Sequence, residues 1–290
     1  MLKFTGERIV PQADNCLPAF ARKMFQEHIA RYQFCLHNFP GGEVLDVGCG
    51  VGYGSHFLAR NSDWRITAFD LSEEAIAHAR KFYSHPSINF ENGNAEAFDF
   101  GKKFDLVICF ELIEHVPNQE AVLRGIKKAL KEDGFLVLST PRPLGTKRSE
   151  FHVRELSFVE CSNLLQQYFP YVVFFHERNH LCSLITEKQP DSLASVLHLN
   201  NDFSENTADY FLAVAGNVPI SMEGISPVLV LNDDEYLLNL ENDVQILKKD
   251  IDILLNEKND FLKHIDGLNK RIRDMESSVP MKIMKKFKFF

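Results

Sequence analysis

Four carboxylates and two imidazoles carry the chemical potential of this chain: Asp46, Asp70, Glu111, Glu114, His115 and His152. The first lies in VLDVGCGVGYGS (44–55), an apolar run that ends in a glycine-rich turn. Turns of this kind cradle nucleotide cofactors, but a dinucleotide fingerprint needs glycine at its first, third and sixth positions. Counting from Gly48 gives Gly48, Gly50 and Tyr53, so the third glycine is missing. Asp46, two residues before the turn, would repel a pyrophosphate. It suits a cationic, phosphate-free cofactor, whose ammonium it could meet directly or through water. Gly48 and Gly50 would let the backbone approach that group closely. Asp70 closes the next strand, where a carboxylate can hold both hydroxyls of a ribose.

A second set of groups follows a later apolar run, in ELIEHV (111–116). On a helix, positions i, i+3 and i+4 share a face, so Glu111, Glu114 and His115 are expected to converge. Two carboxylates and a histidine can ligate a divalent cation, with His152 as a fourth ligand. Two other readings stay open: His115 acts alone as a general base, or the pattern is structural, with Glu114 in solvent. His152 and Arg154 lie in FHVREL, placed to meet an acceptor; Arg154 would orient an anionic group or pair with Glu155 or Glu150. PRPLGTKRS (141–149) is a basic connector that could track a charged polymer or simply be solvated.

Positioning these groups requires a regular scaffold. From residue 42 the chain alternates β-rich runs (EVLDVG, WRITAFD, INFEN, FDLVICF, GFLVLST) with helix candidates at 54–60, 72–83 and 118–131. Ser72 followed by Glu73 and Glu74 is a helix N-terminal signal. Such alternation predicts a parallel sheet covered by helices, completed by YVVFFHE and DYFLAVAG as an antiparallel hairpin at one edge. Residues 183–208 carry no clear pattern. Ahead of the sheet, residues 1–40 contain a helical segment; residues 218–231 read as a linker.

The period changes after the linker, in a segment spanning 232–276. Positions 237 to 275 repeat in 3-4 spacing, and all but Lys258 of these core positions are apolar. This predicts a self-associating coiled coil; a single amphipathic helix docked on the domain would show a broader apolar face. The terminal region 277–290 ends in MKIMKKFKFF, with four lysines and no acid. It suits weak contact with an anionic bilayer, or a frayed terminus.

Composition narrows the class. With 290 residues, 45% hydrophobic content and a formal net charge of −8, the chain fits a globular domain with an appendage and argues against nucleic acid as partner. No run approaches a membrane span of ~18 residues, and MLKFTGERIVPQ lacks the apolar core of a secretory signal. Six cysteines without a CxxC pair read as reduced thiols in a cytoplasmic protein. Peripheral contact at the inner membrane face is left open.

The chain resembles the class I S-adenosylmethionine-dependent methyltransferases in VLDVGCGVG (44–52), TAFDLS (67–72), ENGNAEAF (91–98), FDLVICFELIEHV (104–116) and LKEDGFLVLSTP (130–141). The resemblance implies an α/β fold: a Rossmann-like, seven-stranded, mostly parallel sheet at 41–217 with helices on both faces. It implies S-adenosylmethionine as cofactor, with Asp70 and Leu71 beside the ribose and Asn94 and Ala95 flanking the adenine; Asn94 also fits a plain turn residue. FTGERIVP (4–11), EHIARYQF (27–34), FELIEHV (110–116) and FHVREL (151–156) are similar to bacterial methyltransferases associated with surface polysaccharides. That resemblance implies a sugar or glycan hydroxyl as acceptor and an N-terminal lid. In the lid, Arg31 would reach the cofactor's carboxylate, with Arg8 as alternative; Arg31 could equally pair with Glu27 on a solvated face. The ExxEH pattern is also similar to small-RNA 2′-O-methyltransferases, where it holds magnesium or a related ion, and to ubiquinone-pathway O-methyltransferases. A quinone precursor or other small aromatic acceptor is therefore the alternative. A non-catalytic scaffold with this fold is the alternative of another class.

Overall fold

The computed structural model describes residues 9–11, 19–143, 151–177, 209–221, 225, 235–277, 283 and 286. Arg8, residues 183–208 and most of the connector 141–149, the linker and the basic tail lie outside the described residues. The chain divides into two compact units, 1–17 with 21–232 and 18–20 with 233–290.

The first unit is built on one seven-stranded sheet. Its strands are β1 (Glu43–Val47), β2 (Arg65–Asp70), β3 (Ile88–Asn92), β4 (Phe104–Phe110), β5 (Leu130–Pro141), β6 (Tyr171–Glu177) and β7 (Tyr210–Gly216). They lie in the order β3-β2-β1-β4-β5-β7-β6. All neighbours are parallel except β7, which inserts between β5 and β6 antiparallel to both. The chain order reverses between β1 and β4, and ligands of open α/β sheets bind beyond the strand C-termini at such a switch point. The expected seven-stranded, mostly parallel α/β fold is the one observed.

Five helices cover the sheet: α1 (Ala19–Asn38), α2 (Tyr53–Arg60), α3 (Glu73–Phe82), α4 (Gln119–Ala129) and α5 (Phe158–Gln166). Side chains alternate across a pleated strand, so each strand feeds two cores. Leu45, Val107, Leu136 and Leu138 pack with α4 and α5. Val44, Ile66, Leu106, Ile108 and Val137 pack with α1, α2 and α3. This two-sided burial is why the strands read as continuous apolar runs. Local chemistry sets the helix starts. Ser72 Oγ accepts from the Ala75 amide, and Glu73 and Glu74 meet the positive helix end. Ser157 and Glu160 close a full capping box on α5.

The second unit contains α6, a 43-residue helix from Glu235 to Ser277. Ile251, Leu254, Phe261, Ile265, Leu268, Ile272 and Met275 are all exposed along it. Among the described residues, no helix is long and apolar enough to cross a membrane.

Candidate functional site

The glycine turn links β1 to α2 at the switch point. Gly48, Gly50 and Gly52 all have positive φ (77°, 56° and 88°), the left-handed region that excludes most side chains. The Gly48 and Cys49 amides donate to the Phe69 carbonyl, pinning the turn to the end of β2. A Cβ at Gly52 would strike Phe90 and Ala79, whereas one at Gly50 would meet nothing within 4 Å. Gly52 is therefore required for packing, and Gly50 faces open space. α2 begins at Gly52 without a side-chain cap, so its first-turn amides point into the same region.

Asp46 is fully enclosed beneath this turn, 1% exposed. Its carboxylate accepts hydrogen bonds from Ser55 Oγ (2.6 Å) and Tyr32 Oη (3.2 Å). Burial pushes it up to about 6, opposed by the Ser55 and Tyr32 hydrogen bonds, with the Asp70 charge adding to the rise. Asp46 is thus held below the turn by Tyr32 of α1 and Ser55 of α2. The cause is strand alternation: Asp46 falls on the face that α1 and α2 cover.

Asp70 lies at the rim. One oxygen accepts the Gly50 amide (3.0 Å) and the other the Ser72 amide (2.8 Å), each keeping capacity for a second donor. The Asn92 side chain fixes the Asp70 and Leu71 carbonyls. Leu71 itself is exposed, an apolar surface at the mouth of the crevice. Asn94 Oδ1 accepts from the Glu96 amide, the behaviour of a turn residue, while Ala95 is buried in the α4 and α5 core.

Arg31 is 1% exposed, so the solvated pair with Glu27 is not formed. Glu27 is instead paired with Lys23 (3.3 Å) and accepts from Tyr210 Oη (2.9 Å). Arg31 Nε donates to Glu177 at the end of β6 (2.6 Å), its Nη1 lies 3.6 Å from Glu111, and its guanidinium stacks on Tyr210 at 4.2 Å. Burial alone would lower its pKa, but the Glu177 and Glu111 charges raise it, so Arg31 stays cationic. Both Nη atoms are buried with no hydrogen-bond partner. A buried guanidinium whose Nη2 is unpartnered and whose Nη1 has only the long Glu111 contact has donor capacity for an incoming carboxylate. Together with the vacant space at Gly50 and the capacity left on Asp70, this fits a cofactor bearing an amino-acid end and a ribose.

ELIEHV does not continue as an α-helix. Glu111 has φ 47°, the sole positive φ outside glycine among the described residues, and a one-turn 3-10 helix covers only Ile113–His115. Consequently Glu111 and Glu114 do not share a face. Glu111 accepts from Ser139 Oγ (2.6 Å), whereas Glu114 accepts from Thr140 Oγ1 (3.1 Å). Consecutive β5 residues point to opposite faces of the sheet, so Glu111 turns towards Arg31 and Glu114 towards the α4 and α5 core. The expected four-residue metal set therefore loses Glu111.

Three of its members do come together. Glu114, His115 and His152 each offer a ligand atom, all within 4.8 Å of one another. The 151–154 segment is held there because the Val153 and Arg154 amides both donate to the Glu114 carbonyl. The two imidazole rings lie 4.9 Å apart, nearly perpendicular. His115 Nδ1 is 2.9 Å from the Phe151 carbonyl, which can only accept, so Nδ1 carries a proton and Nε2 is the nitrogen left to present a lone pair when the ring is neutral. His152 Nδ1 is 2.6 Å from Glu155, an arrangement that orients metal-bound imidazoles. Glu114 is 1% exposed, not solvated, and its Oε1 has no hydrogen-bond partner. Burial and then the Glu111 charge push its carboxyl well above the usual range. An uncompensated buried oxygen beside two imidazoles fits a divalent cation, which would restore the ionised form.

Arg154 pairs with Glu160 (3.3 Å) on the surface, not with Glu155, which His152 occupies; Glu150 lies outside the described residues. Residues passed over in the sequence are Tyr32, Ser55, Ser139, Thr140, Glu177 and Tyr210. Tyr32 adjoins Arg31 in EHIARYQF, and Ser139 and Thr140 end an apolar run with two hydroxyls, which was the available signal.

A family model described as a methyltransferase domain matches residues 20–201, more than half of the chain. Over 172 residues the chain is 31% identical to the "Probable S-adenosylmethionine-dependent methyltransferase" of Mycolicibacterium smegmatis, covering 57% of this chain and 64% of that one. A ubiquinone biosynthesis O-methyltransferase of Xanthomonas campestris pv. campestris is 38% identical over 105 residues, 35% of this chain and 44% of that one. The chain thus spans less than two thirds of these curated relatives. Among solved structures, a chain of the "Complex between the Haloferax volcanii Trm112 methyltransferase activator and the putative methyltransferase" superposes with a TM-score of 0.51 at 17% identity. It covers 68% of this chain and 92% of that one, a likeness of fold alone. On the family match, the chain belongs to the methyltransferase-domain family.

Proposed function

We propose that the chain binds S-adenosylmethionine and methylates a hydroxyl oxygen. The observation that carries this reading is the pairing of two half-sites. Gly50 in the glycine turn faces open space and the Arg31 Nη atoms make no hydrogen bond, while Glu111, 3.6 Å from Arg31, and Glu114 of the Glu114, His115 and His152 cluster are held by the consecutive β5 residues Ser139 and Thr140. Bound S-adenosylmethionine supplies an electrophilic methyl group on a cationic sulfur. Arg31 holds its carboxylate, Asp70 and Leu71 lie beside its ribose, and Asn94 and Ala95 flank its adenine. Asp46 adds negative potential beneath the ammonium.

An alcohol acceptor must lose its proton as the new carbon–oxygen bond forms. His115 Nε2 is placed to accept it, since its Nδ1 is committed to the Phe151 carbonyl. A divalent ion held by Glu114, His115 and His152 would instead occupy that lone pair, and its Lewis acidity would lower the hydroxyl's pKa so that the proton passes to solvent. Turnover should then vanish in excess chelator and return with a divalent ion. Full activity in EDTA would sink the metal half of the proposal and leave His115 as sole base. Calorimetry with S-adenosylmethionine tests the cofactor half independently; absence of binding favours the scaffold reading.

We favour a sugar or glycan acceptor, supported by the four motifs shared with surface-polysaccharide methyltransferases. A quinone precursor is the second reading, supported by the identity to a ubiquinone biosynthesis O-methyltransferase. Both acceptors can present neighbouring oxygens to one cation. Methyl transfer from labelled cofactor to an oligosaccharide but not to a catechol supports the first; the reverse supports the second. Contact of the basic tail with anionic lipid belongs to the glycan reading, and co-sedimentation with anionic but not neutral vesicles is its check.

A further inference from the structure

We infer that α6 pairs with α6 of a second copy as a parallel, in-register, two-stranded coiled coil. The inference is independent of the proposed activity. In the 3-4 repeat, the a positions are Leu237, Val244, Ile251, Lys258, Ile265 and Ile272, and the d positions are Leu240, Leu247, Leu254, Phe261, Leu268 and Met275. Four of six a residues are β-branched and four of six d residues are leucine. That distribution favours two parallel strands over three or four. From Ile251 onwards, every apolar residue of this seam is exposed, a stripe that one helix cannot bury by itself.

Charge selects both the occupant and its direction. In a parallel dimer, each g residue faces the e residue five positions on in the other strand. The g positions are Tyr236, Asp243, Asp250, Glu257, His264 and Arg271; the e positions are Glu241, Lys248, Leu255, Leu262, Asn269 and Glu276. In-register parallel pairing sets Asp243 against Lys248 and Arg271 against Glu276, each twice by symmetry, and opposes no like charges at these flanking positions. A blunt antiparallel pairing sets Asp243 against Arg271 but brings Glu257 against Glu257 of the second copy at the centre of the helix. Lys258 is the one polar core residue, and it is exposed on the single helix. In the parallel pair it faces Lys258 of the second copy across the core; each lies beside Glu257 of the other strand, on a stem long enough to carry its charge outward. A polar a position of this kind lowers stability while fixing register.

The test uses the full chain carrying Met275→Cys, compared with the parent under the same mild oxidation. Parallel pairing places the two new thiols opposite each other and yields a covalent dimer. Antiparallel pairing puts each opposite position 237, about 57 Å along the helix from the other thiol, and yields none. Sedimentation of the parent should give twice 33.3 kDa. Ile265→Asp with Leu268→Asp should give monomers that keep the circular dichroism of the sheet domain. Asp243→Lys should weaken the dimer roughly fivefold at low salt, and adding Lys248→Asp should restore it. A monomeric parent, a trimer or tetramer, or no more covalent dimer from Met275→Cys than from the parent would overturn the inference.

Discussion

Arg31 Nε lies 2.6 Å from Glu177 Oε2 although 146 residues separate them in the chain. This contact ties α1 to the far end of β6 and leaves both Nη atoms buried without a hydrogen bond, beside Glu111 and the Tyr210 ring. The same arginine thus serves packing and recognition, and the two roles separate experimentally. Arg31→Met removes the cation but leaves Glu177 and Glu111 in place. Breaking a buried pair from one side costs about 3–5 kcal/mol, so a large drop in the denaturation midpoint is expected. Arg31→Met with Glu177→Gln should recover much of that stability but none of the affinity for S-adenosylmethionine. Recovery of both in the double variant would refute a role in holding the cofactor's carboxylate.

Asp46 makes the protein respond to pH. Its carboxyl is raised to about 6 from 3.8, chiefly by burial. The folded state therefore holds this proton more tightly than the unfolded chain. Stability from this group is present below pH 4 and is lost as pH rises through about 6, amounting to about 3 kcal/mol at neutrality. Urea unfolding at pH 4.5 and pH 7 should show about 2 kcal/mol of that loss, and Asp46→Asn should remove Asp46's share of it. Cofactor affinity should move oppositely, since an ammonium above the turn favours the ionised form. It should climb between pH 5 and pH 7 in the parent and stay flat in Asp46→Asn.

The two central glycines should fail differently. Gly50→Ala introduces a methyl into open space at φ 56°, costing about 1–2 kcal/mol of backbone strain. The fold should survive while calorimetry shows the cofactor affinity falling by more than tenfold. Gly52→Ala drives a Cβ to 2.7 Å from the Phe90 ring and adds overpacking of about 1–3 kcal/mol to a similar strain. Thermal denaturation should therefore rank Gly52→Ala well below Gly50→Ala. Equal melting temperatures would contradict the assignment of Gly52 to packing.

Residues behind the imidazole cluster should tune the metal without touching the cofactor. Thr140→Val deprives Glu114 of its Thr140 hydrogen bond, and Glu155→Gln removes the charge behind His152 Nδ1. Each is expected to weaken divalent-cation binding by about 10–100-fold. S-adenosylmethionine binding, measured in chelator, should remain at parental strength. Unchanged metal affinity in both variants would argue that the cluster is structural.

Much of the scaffold was legible in the chain because its signals are local. Apolar runs of strand length, Ser72 with its following glutamates and the glycine turn each report on neighbouring residues, and the sheet formed where they indicated. Asp46 stood out because an acid just before a glycine turn has few structural uses, and Asp70 because it closes the next strand. ELIEHV misled, since spacing alone suggested one helical face. The backbone at Glu111 turns left-handed instead, and two hydroxyls on alternate sides of β5 divide the glutamates between opposite faces of the sheet. No property of residues 111–116 encodes Ser139 or Thr140.

By itself, then, the sequence determined the class of fold, the placement of the glycine turn, the heptad register of α6 and the residue types available for chemistry. Only the tertiary structure decided which of those residues meet. Arg31 found Glu177 rather than Glu27, Asp46 was enclosed by Tyr32 and Ser55, and Glu114 joined His115 and His152 while Glu111 did not. Periodicity is a property of a few consecutive residues, whereas burial and partner choice depend on which distant segments pack against them.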